Sequence, residues 1–406
     1  MRRIATLLVL LGAALLAFSF DSSAQDGPEF INPRGGMDND EGDPSPTLED
    51  LEVKNAVEKG LRHLASIQNH DGSWSNDVGN KLGHNYQRNV DGIGKPHLGV
   101  TAICCMAFMA AGYTPDRGEY SRNVAAGLAF VLDKVDRDTG WMSAFGTRMY
   151  SHAFAAMFLA EVYGQTKAPV VLSSLRNAIK FIVDSQNEQG AWRYVPHQID
   201  SDMSICVCQL QALRAASNVG VMVPKSAIEG AKDYVRNSYV RYGSVGSFKY
   251  QLDWDDRSTF ALTAAGVVGL QSLGEYDSHT YDAKVGNTTR RVTLDLTRSI
   301  SYMMGERPDP ASRFNWIRPG WSECNYGFWY GHYYAAQAMY QFQYVSPRTW
   351  REWNDLNRKH FLKMQHDNGA WTDEIGGWDQ RKNAFATAMA CLILSIPRGY
   401  LPIFQN

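Results

Sequence analysis

The sequence has almost no net charge, and this limits the partners it can have. Its 406 residues include 40 Lys and Arg against 42 Asp and Glu, a formal net charge of −2 at pH 7. Proteins that bind nucleic acid or anionic membrane surfaces usually carry a basic surface. We therefore expect no nucleic-acid partner.

Cysteine is also scarce, with six residues in the chain. Cys104 and Cys105 are adjacent, and Cys206 and Cys208 lie two apart, all within apolar segments. Residues so close on one helix are poorly placed for a disulfide bond. The sequence predicts buried free thiols instead.

The N-terminal segment lacks charge from Ile4 to Phe20, with Arg2 and Arg3 before it and small residues up to Ala24 after it. This order predicts a signal peptide over residues 1–24 and a secreted or periplasmic protein with no stable membrane span after cleavage. An uncleaved anchor is the alternative, although the run is shorter than the ~20 residues that a spanning helix needs.

Residues 25–47 contain little that could be buried, since Gly, Pro, Asp and Asn dominate them. They predict a flexible leader. No second low-complexity linker interrupts residues 48–406, which therefore predict one domain, expected as a monomer.

One phrase of the form Q-x-x-x-G-x-W occurs three times in that domain, at residues 68–74, 186–192 and 365–371. Weaker copies lie at residues 138–141 and 246–250, so the spacing is roughly 50 to 70 residues, as in repeat arrays. The Gly of each phrase suits a turn with positive φ, and the aromatic residue two positions later suits a wedge between helices.

An amphipathic segment precedes each of six nearly uncharged segments rich in small residues. The six uncharged segments begin at His97, Met149, Asp202, Ser258, Tyr330 and Asn383. A helix that is apolar on every side must be surrounded by protein. The sequence predicts an all-α fold with six inner and six outer helices, an (α/α)6 toroid. An open solenoid is the alternative, and proximity of the first and last helix pairs decides between them.

These phrases resemble the terpenoid cyclase and protein prenyltransferase superfamily, whose members carry Q-x-x-x-G-x-W repeats on an (α/α)6 toroid. The resemblance covers most of the chain after Leu48. It is strongest to the exported bacterial prenyltransferase and squalene oxidase repeat proteins, which residues 201–216, 262–277 and 384–404 resemble. It implies the fold and leaves the reaction open, because one fold serves many functions.

Polar residues cluster where the inner segments begin, and in a toroid these starts meet at one mouth. The predicted ligand-binding residues are His97, Tyr150, His152, Asp200, Arg257, Tyr330, His332 and Arg381. Helix capping is the structural alternative, notably for Asp202 and Ser258. We expect the mouth to bind a lipid, a peptide or a glycan, with residues 76–96 and 277–291 as rim loops.

Two acidic phrases resemble the D-x-D-D motif with which class II terpene cyclases protonate an alkene. Residues 253–256 match every letter, so the resemblance makes Asp255 the proton donor, with Asp256 beside it. The phrase from Asp200 offers Asp202 but has Met203 in place of the last Asp. Arg257 would stabilise ionised carboxylates, which opposes this chemistry. A cyclase-like isomerase is one alternative function.

The zinc chemistry of protein prenyltransferases is not expected, although Glu323 and Cys324 resemble part of its ligand region. The required His is absent from residues 381–387. Cys324 and His332 are fewer ligands than the three or four that zinc needs. We expect no metal and no cofactor. The G-C-G-E-Q phrase of thioester proteins, which share the toroid, is also absent.

A further alternative comes from polysaccharide lyases and hydrolases built on α/α barrels, whose sugar-binding grooves are lined by aromatic residues. The sequence offers several such residues, namely Trp316, Trp321, Trp329, Tyr330, Tyr333 and Tyr334. Export suits a polymer substrate. Core packing is the structural explanation of the same residues.

Overall fold

The computed structural model describes residues 48–76, 81–82, 87–88, 94–145, 147–252, 258–276, 278–285, 288–305, 327–372, 383–399 and 401. All of them belong to one compact unit. The signal peptide over residues 1–24 and the leader over residues 25–47 lie outside the described residues, and their boundaries stay predictions.

Twelve α-helices follow one another in the described chain. They are α1 (Leu48–Ser66), α2 (Leu98–Ala110), α3 (Ser121–Asp133), α4 (Met149–Thr166), α5 (Pro169–Asp184), α6 (Met203–Asn218), α7 (Lys225–Asn237), α8 (Phe260–Ser272), α9 (Leu296–Met303), α10 (Phe328–Phe342), α11 (Pro347–Met364) and α12 (Ala384–Ser395). Odd-numbered helices bury one face, whereas α2, α8 and α12 are buried at every residue. The two layers follow from this difference in composition.

The even-numbered helices form a closed inner ring. Each packs against the next along the chain, and α12 packs against α2. Outside this ring, α1 packs against both α11 and α12. The first and last helix pairs therefore meet, which confirms the toroid and rules out the open solenoid.

Three antiparallel hairpins interrupt the helices within the described residues. They pair β1 (Lys81–Leu82) with β2 (Gln87–Arg88), β3 (Tyr239–Tyr242) with β4 (Val245–Phe248), and β5 (His279–Val285) with β6 (Thr288–Leu294). The last hairpin contacts α7, because the Tyr281 hydroxyl donates a hydrogen bond to the Arg236 carbonyl. The second predicted rim loop is thus largely hairpin, and in the first the described residues 81–82 and 87–88 are paired strands.

Each of the three Q-x-x-x-G-x-W phrases fastens the outer helix before it to the next outer helix. In the third phrase, Gln365 Nε2 donates to Gly369 O at 2.9 Å and to Ala56 O of α1 at 2.8 Å. Trp371 Nε1 donates to Phe361 O of α11 at 2.8 Å. The other two phrases repeat these contacts with α3 and α7. Because the third phrase reaches α1, it closes the ring.

The glycine of each phrase has the predicted positive φ, 86° at Gly72, 75° at Gly190 and 86° at Gly369. Gly140 of a weaker copy shares it, with φ of 79°. The copy at Gly246 differs, because this residue lies within strand β4. The turn geometry therefore follows the glycine only where a helix precedes it.

Cys104, Cys105, Cys206, Cys208 and Cys391 are buried thiols, and the described residues contain no disulfide bond between them. The prediction of buried thiols is confirmed for these five, and Cys324 lies outside the described residues. Among the helices that the structure describes, none combines the length and apolar character needed to cross a membrane.

Candidate functional site

The starts of three inner helices meet on one side of the ring. The Tyr150 hydroxyl at the start of α4 hydrogen bonds with Ser204 Oγ at the start of α6. The Tyr330 hydroxyl of α10 donates to Ser204 O at 2.9 Å. The rings of Tyr150 and Tyr330 lie 6.3 Å apart. We call this side of the inner ring the mouth.

Two further tyrosines join this group from the segments that precede inner helices. Met149 N donates to Tyr194 O at 3.1 Å, and Met203 N donates to Tyr250 O at 3.0 Å. The hydroxyls of Tyr194 and Tyr250 are hydrogen bonded at 2.6 Å. Each tyrosine is therefore fixed by the start of a neighbouring helix. Tyr150, Tyr194, Tyr250 and Tyr330, all half-buried, form the tyrosine cluster.

The hydroxyls of the tyrosine cluster stay protonated near neutral pH. Burial raises the pKa of all four, and the Asp202 carboxylate raises it further. A neutral phenol can both donate and accept a hydrogen bond. The cluster therefore presents neutral hydroxyls beside aromatic faces.

Asp202 lies fully buried beneath the cluster, where it caps α6. Its Oδ1 accepts hydrogen bonds from Ser204 N at 2.8 Å and from Ser204 Oγ. Its Oδ2 lies 3.7 Å from Arg193 Nη1. Both contacts place positive charge or a donor beside the carboxyl group, as suits a carboxylate. The capping prediction for Asp202 is confirmed.

Arg193, which the sequence analysis missed, connects the charged and aromatic parts of the mouth. Its Nη1 donates to Ser201 O at 2.8 Å, and its Nε lies 3.3 Å from Asp200 Oδ2. The guanidinium carbon lies 4.8 Å from the centre of the Tyr194 ring and 5.6 Å from that of Tyr250. Such contacts stabilise a cation against aromatic faces. The only sequence signal was its place directly after Trp192 of the second phrase.

His152 and His332 lie within the wall of the toroid instead of facing the mouth. His152 Nδ1 accepts from Met142 N at 3.1 Å, and its Nε2 donates to Ala178 O of α5 at 3.1 Å. His332 donates from Nδ1 to Phe328 O at 2.9 Å and packs against the Phe361 ring of α11. Burial lowers the pKa of His152 to about 4 and that of His332 to about 3. Both are neutral structural residues near neutral pH.

At the starts of α2 and α8, residues singled out in the sequence serve helix capping or lie beside the cap. His97 caps α2, where its Nδ1 accepts from Val100 N at 3.2 Å. The predicted cap Ser258 donates to Phe248 O instead, and Thr259 caps α8 by accepting from Leu262 N. The cap prediction at Ser258 is wrong by one residue, because α8 begins at Phe260.

Several candidates lie outside the described residues. These are Asp255, Asp256, Arg257 and Arg381. The D-W-D-D phrase is among them, so its assignment stays a prediction.

The space enclosed by the inner ring, which we call the lumen, is crossed by hydrogen bonds between α6 and α10. These helices are not neighbours in the ring, since α8 lies between them. Below the contact of Tyr330 with Ser204, Cys208 Sγ lies 3.1 Å from the Tyr334 hydroxyl. Deeper still, Gln211 Nε2 donates to Gln337 Oε1. Side chains of α6 and α10 therefore meet across the lumen.

Within the part of the chain that the structure describes, no three His, Cys, Asp or Glu side chains lie close enough to hold a metal ion. Among the described residues, the mouth offers the chemistry of the tyrosine cluster, Arg193 and the two carboxylates of Asp200 and Asp202.

No family model matches the sequence, and no curated protein matches it. Solved structures do match, including an α-1,6-mannanase from a Salegentibacter species in complex with α-1,6-mannotriose. It has 8% identity and a TM-score of 0.58, over 85% of this chain and 99% of the mannanase.

Two other enzymes match over similar lengths. A type II terpene cyclase from Scytonema in complex with geranylgeranyl dihydroxybenzoate has 12% identity and a TM-score of 0.54, over 87% of this chain and 99% of its own. A cellobiose 2-epimerase from Bacillus thermoamylovorans has 14% identity and a TM-score of 0.55, over 84% and 98%. The chain shares their (α/α)6 toroid fold. The predicted resemblance to terpenoid cyclases is confirmed in this toroid, and at such identities the likeness concerns the fold alone.

Proposed function

We propose that the mouth of the toroid binds a glycan. The tyrosine cluster is the observation that carries this proposal. Arg193 covers one face of Tyr194 and of Tyr250, and the remaining apolar surface of the four half-buried rings can contact the C–H faces of sugar rings. The four hydroxyls are paired at the mouth, and their oxygens can still accept hydrogen bonds from sugar hydroxyls. Aromatic and polar groups at one place suit a ligand with both kinds of surface.

The charged groups at the mouth support the same ligand class. Arg193 and Asp200 lie 3.3 Å apart beside Tyr194. An ion pair can donate to some sugar hydroxyls and accept from others, whereas a hydrocarbon chain would desolvate both charges without replacing their hydrogen bonds. A glycan therefore fits this mouth better than a lipid does.

The side-chain contacts across the lumen also disfavour an isoprenoid ligand. A hydrocarbon needs an enclosed apolar pocket, and Cys208, Tyr334, Gln211 and Gln337 are already in contact between α6 and α10. The class II cyclase alternative rests on Asp255 and Asp256 and stays a prediction. Asp202 supports it poorly, since its contacts suit a carboxylate and the reaction needs a neutral acid.

The ligands of proteins with the same fold and the predicted location also favour a glycan. The Salegentibacter mannanase with the same fold holds an α-1,6-linked mannose trisaccharide, and the Bacillus epimerase is named for a disaccharide. The predicted secreted or periplasmic location would also give access to polymeric glycans.

Glycoside hydrolysis is a second candidate, favoured by the two carboxylates around Arg193. The Asp200 side chain is 24% exposed and that of Asp202 is fully buried. Most glycosidases use a pair of carboxyl groups in different environments. A lyase is less well supported, because the tyrosine hydroxyls remain protonated and a lyase needs a base.

Calorimetric titration with α-1,6-mannotriose, cellobiose, geranylgeraniol and a mixed peptide library tests the proposal. We expect heat of binding with an oligosaccharide, weakened about tenfold or more by Tyr194→Ala, since stacking on an aromatic ring is lost. Tyr163→Ala is the matched control, because Tyr163 is a half-buried tyrosine near the other end of α4. Binding of geranylgeraniol or peptide alone, or equal losses in both variants, would refute the glycan site.

Release of reducing ends from any oligosaccharide that binds tests the second candidate. Hydrolysis that disappears in Asp200→Asn while binding persists would support it. Binding without any release, under the same conditions, would restrict the mouth to a recognition role.

A further inference from the structure

The nine residues between Trp192 and Asp202 form a loop with a closed base. Asp202 N donates to Trp192 O at 3.0 Å. Inside the loop, Arg193 Nη1 donates to Ser201 O at 2.8 Å, and Val195 N donates to Gln198 Oε1 at 3.3 Å. We call residues 194–200 the rim loop; it is distinct from the rim loops predicted at residues 76–96 and 277–291. It begins with Tyr194 and ends with Asp200, two residues of the mouth.

The Asn187 side chain, which lies outside the rim loop, contacts the backbone of its far half. Asn187 Nδ2 lies 3.1, 3.3 and 3.0 Å from the carbonyl oxygens of Gln198, Ile199 and Asp200. Asn187 Oδ1 accepts from Gln189 N at 3.1 Å and from Ala191 N at 3.0 Å. The amide is thus fixed by the turn of the second phrase, and it directs three consecutive carbonyl groups of the loop toward itself.

The first and third phrases show that the turn itself does not require this reach. Asn69, at the same position of the first phrase, donates to Ser73 Oγ and Ser75 Oγ, both at 3.0 Å. His366 of the third phrase contacts Thr372 Oγ1 at 3.2 Å. These three partners lie four to six positions away in sequence, whereas Asn187 contacts residues 11 to 13 positions away. Its long reach serves the rim loop.

The rim loop exposes apolar side chains beside the tyrosine cluster. Ile199 is 89% exposed and Val195 is 40% exposed. His197 between them has a φ of 60°, a conformation that non-glycine residues seldom adopt. A loop held in an uncommon conformation, with an isoleucine presented to solvent, is typical of a surface shaped for recognition.

We propose that the rim loop is a preformed ligand-contacting element and that Asn187 is its positioning residue. The inference rests on the proposed glycan site and specifies its ligand. Ile199 and Val195 contact the apolar face of a sugar unit beyond the one that stacks on the tyrosine cluster, while Arg193 and Asp200 bind hydroxyls between them. The ligand class is therefore an oligosaccharide of two or more units, and a monosaccharide leaves the rim loop unused.

Hydrogen exchange of the free protein tests the positioning role without any ligand. In Asn187→Ala, the amides of residues 194–202 should exchange about tenfold faster or more, because the far half of the loop loses its anchor. Asn69→Ala is the matched control and should leave these amides unchanged. Equal exchange in the two variants, or no change in Asn187→Ala, would overturn the positioning role.

Titration with α-1,6-mannotriose and with mannose tests the contact role. Ile199→Ser should weaken trisaccharide binding about tenfold and leave mannose binding unchanged, because apolar contact with the outer unit is lost. Met222→Ser is the control, since Met222 is also 89% exposed but follows α6 at its other end. Equal loss in both variants would refute the contact. Absence of binding by both α-1,6-mannotriose and cellobiose in the unaltered protein would refute the glycan site and this contact, while the exchange result would still decide the role of Asn187.

Discussion

Gly369 lies directly against the backbone carbonyl of Lys59, so closely that a Cβ on the glycine would fall far inside van der Waals distance of that oxygen. Gly369 belongs to the turn after α11, and Lys59 lies in α1. The contact therefore joins the last outer helix to the first. Gly72, Gly140 and Gly190 press in the same way against α3, α5 and α7.

Gly369→Ala should lower the free energy of unfolding by more than Gly112→Ala does. Both glycines have positive φ, 86° and 94°, but a Cβ at Gly112 would meet no atom within 4 Å. We expect about 1 kcal/mol for Gly112→Ala from backbone strain, and about 1–3 kcal/mol more for Gly369→Ala from overpacking at the ring closure. Urea unfolding measures the difference. Equal losses would show that the closure tolerates a side chain.

The hydrogen-bonded residues Gln211 and Gln337 should behave as a coupled pair in a double-mutant cycle. Each single change to Leu leaves a buried amide without its partner and should cost about 1–3 kcal/mol. The double change to Leu removes both polar groups, so its cost should fall below the sum of the two. Additive losses in urea unfolding would mean that the lumen contact contributes little.

Acid should destabilise the protein through the buried histidines of the wall. The pKa of His152 is about 4 and that of His332 about 3 in the folded chain, below the ordinary value of 6.5. As pH falls below that value, the unfolded chain binds protons that the folded chain does not, so the free energy of unfolding decreases.

His152→Gln isolates one of these contributions. The lost stability between pH 6.5 and pH 4 should shrink by up to about 3 kcal/mol relative to the unaltered protein. His366→Gln is the control, because His366 is exposed. Denaturant unfolding at several pH values measures both slopes, and parallel slopes for the unaltered protein and His152→Gln would contradict the assignment.

The five described thiols should resist labelling in the folded protein. Burial raises the pKa of Cys206 and Cys208 to about 12, and it also raises the pKa of Cys105 and Cys391. The thiolate is the reactive form, so a thiol reagent near pH 8 should modify these residues only after unfolding in urea. Mass spectrometry locates the label. Rapid native labelling of Cys206 or Cys208 would show that the wall opens.

Much of the fold could be predicted from the sequence, because its causes are local and repeated. The uncharged segments from His97 and Asn383 became fully buried helices, and the glycine of each full phrase has the expected φ. The sequence alone could not decide whether the ring closes, because closure depends on contacts such as that of Gln365 with Ala56, 309 positions apart.

The candidate site was predicted only in part. Tyr150 and Tyr330 do meet at the mouth, and Asp202 does cap α6. Polarity at a helix start does not reveal direction, however, and His152 points outward to α5. Arg193 could not be predicted, because its role depends on the aromatic faces of Tyr194 and Tyr250, which only the fold brings against it.

A crystal structure of the protein soaked with α-1,6-mannotriose tests the central claim most directly. The account predicts sugar density at the mouth, with one ring stacked on the tyrosine cluster and a second against Ile199. Sugar density between α6 and α10, with the contact between Cys208 and Tyr334 broken, would contradict it. Sugar bound only away from the mouth would contradict it as well.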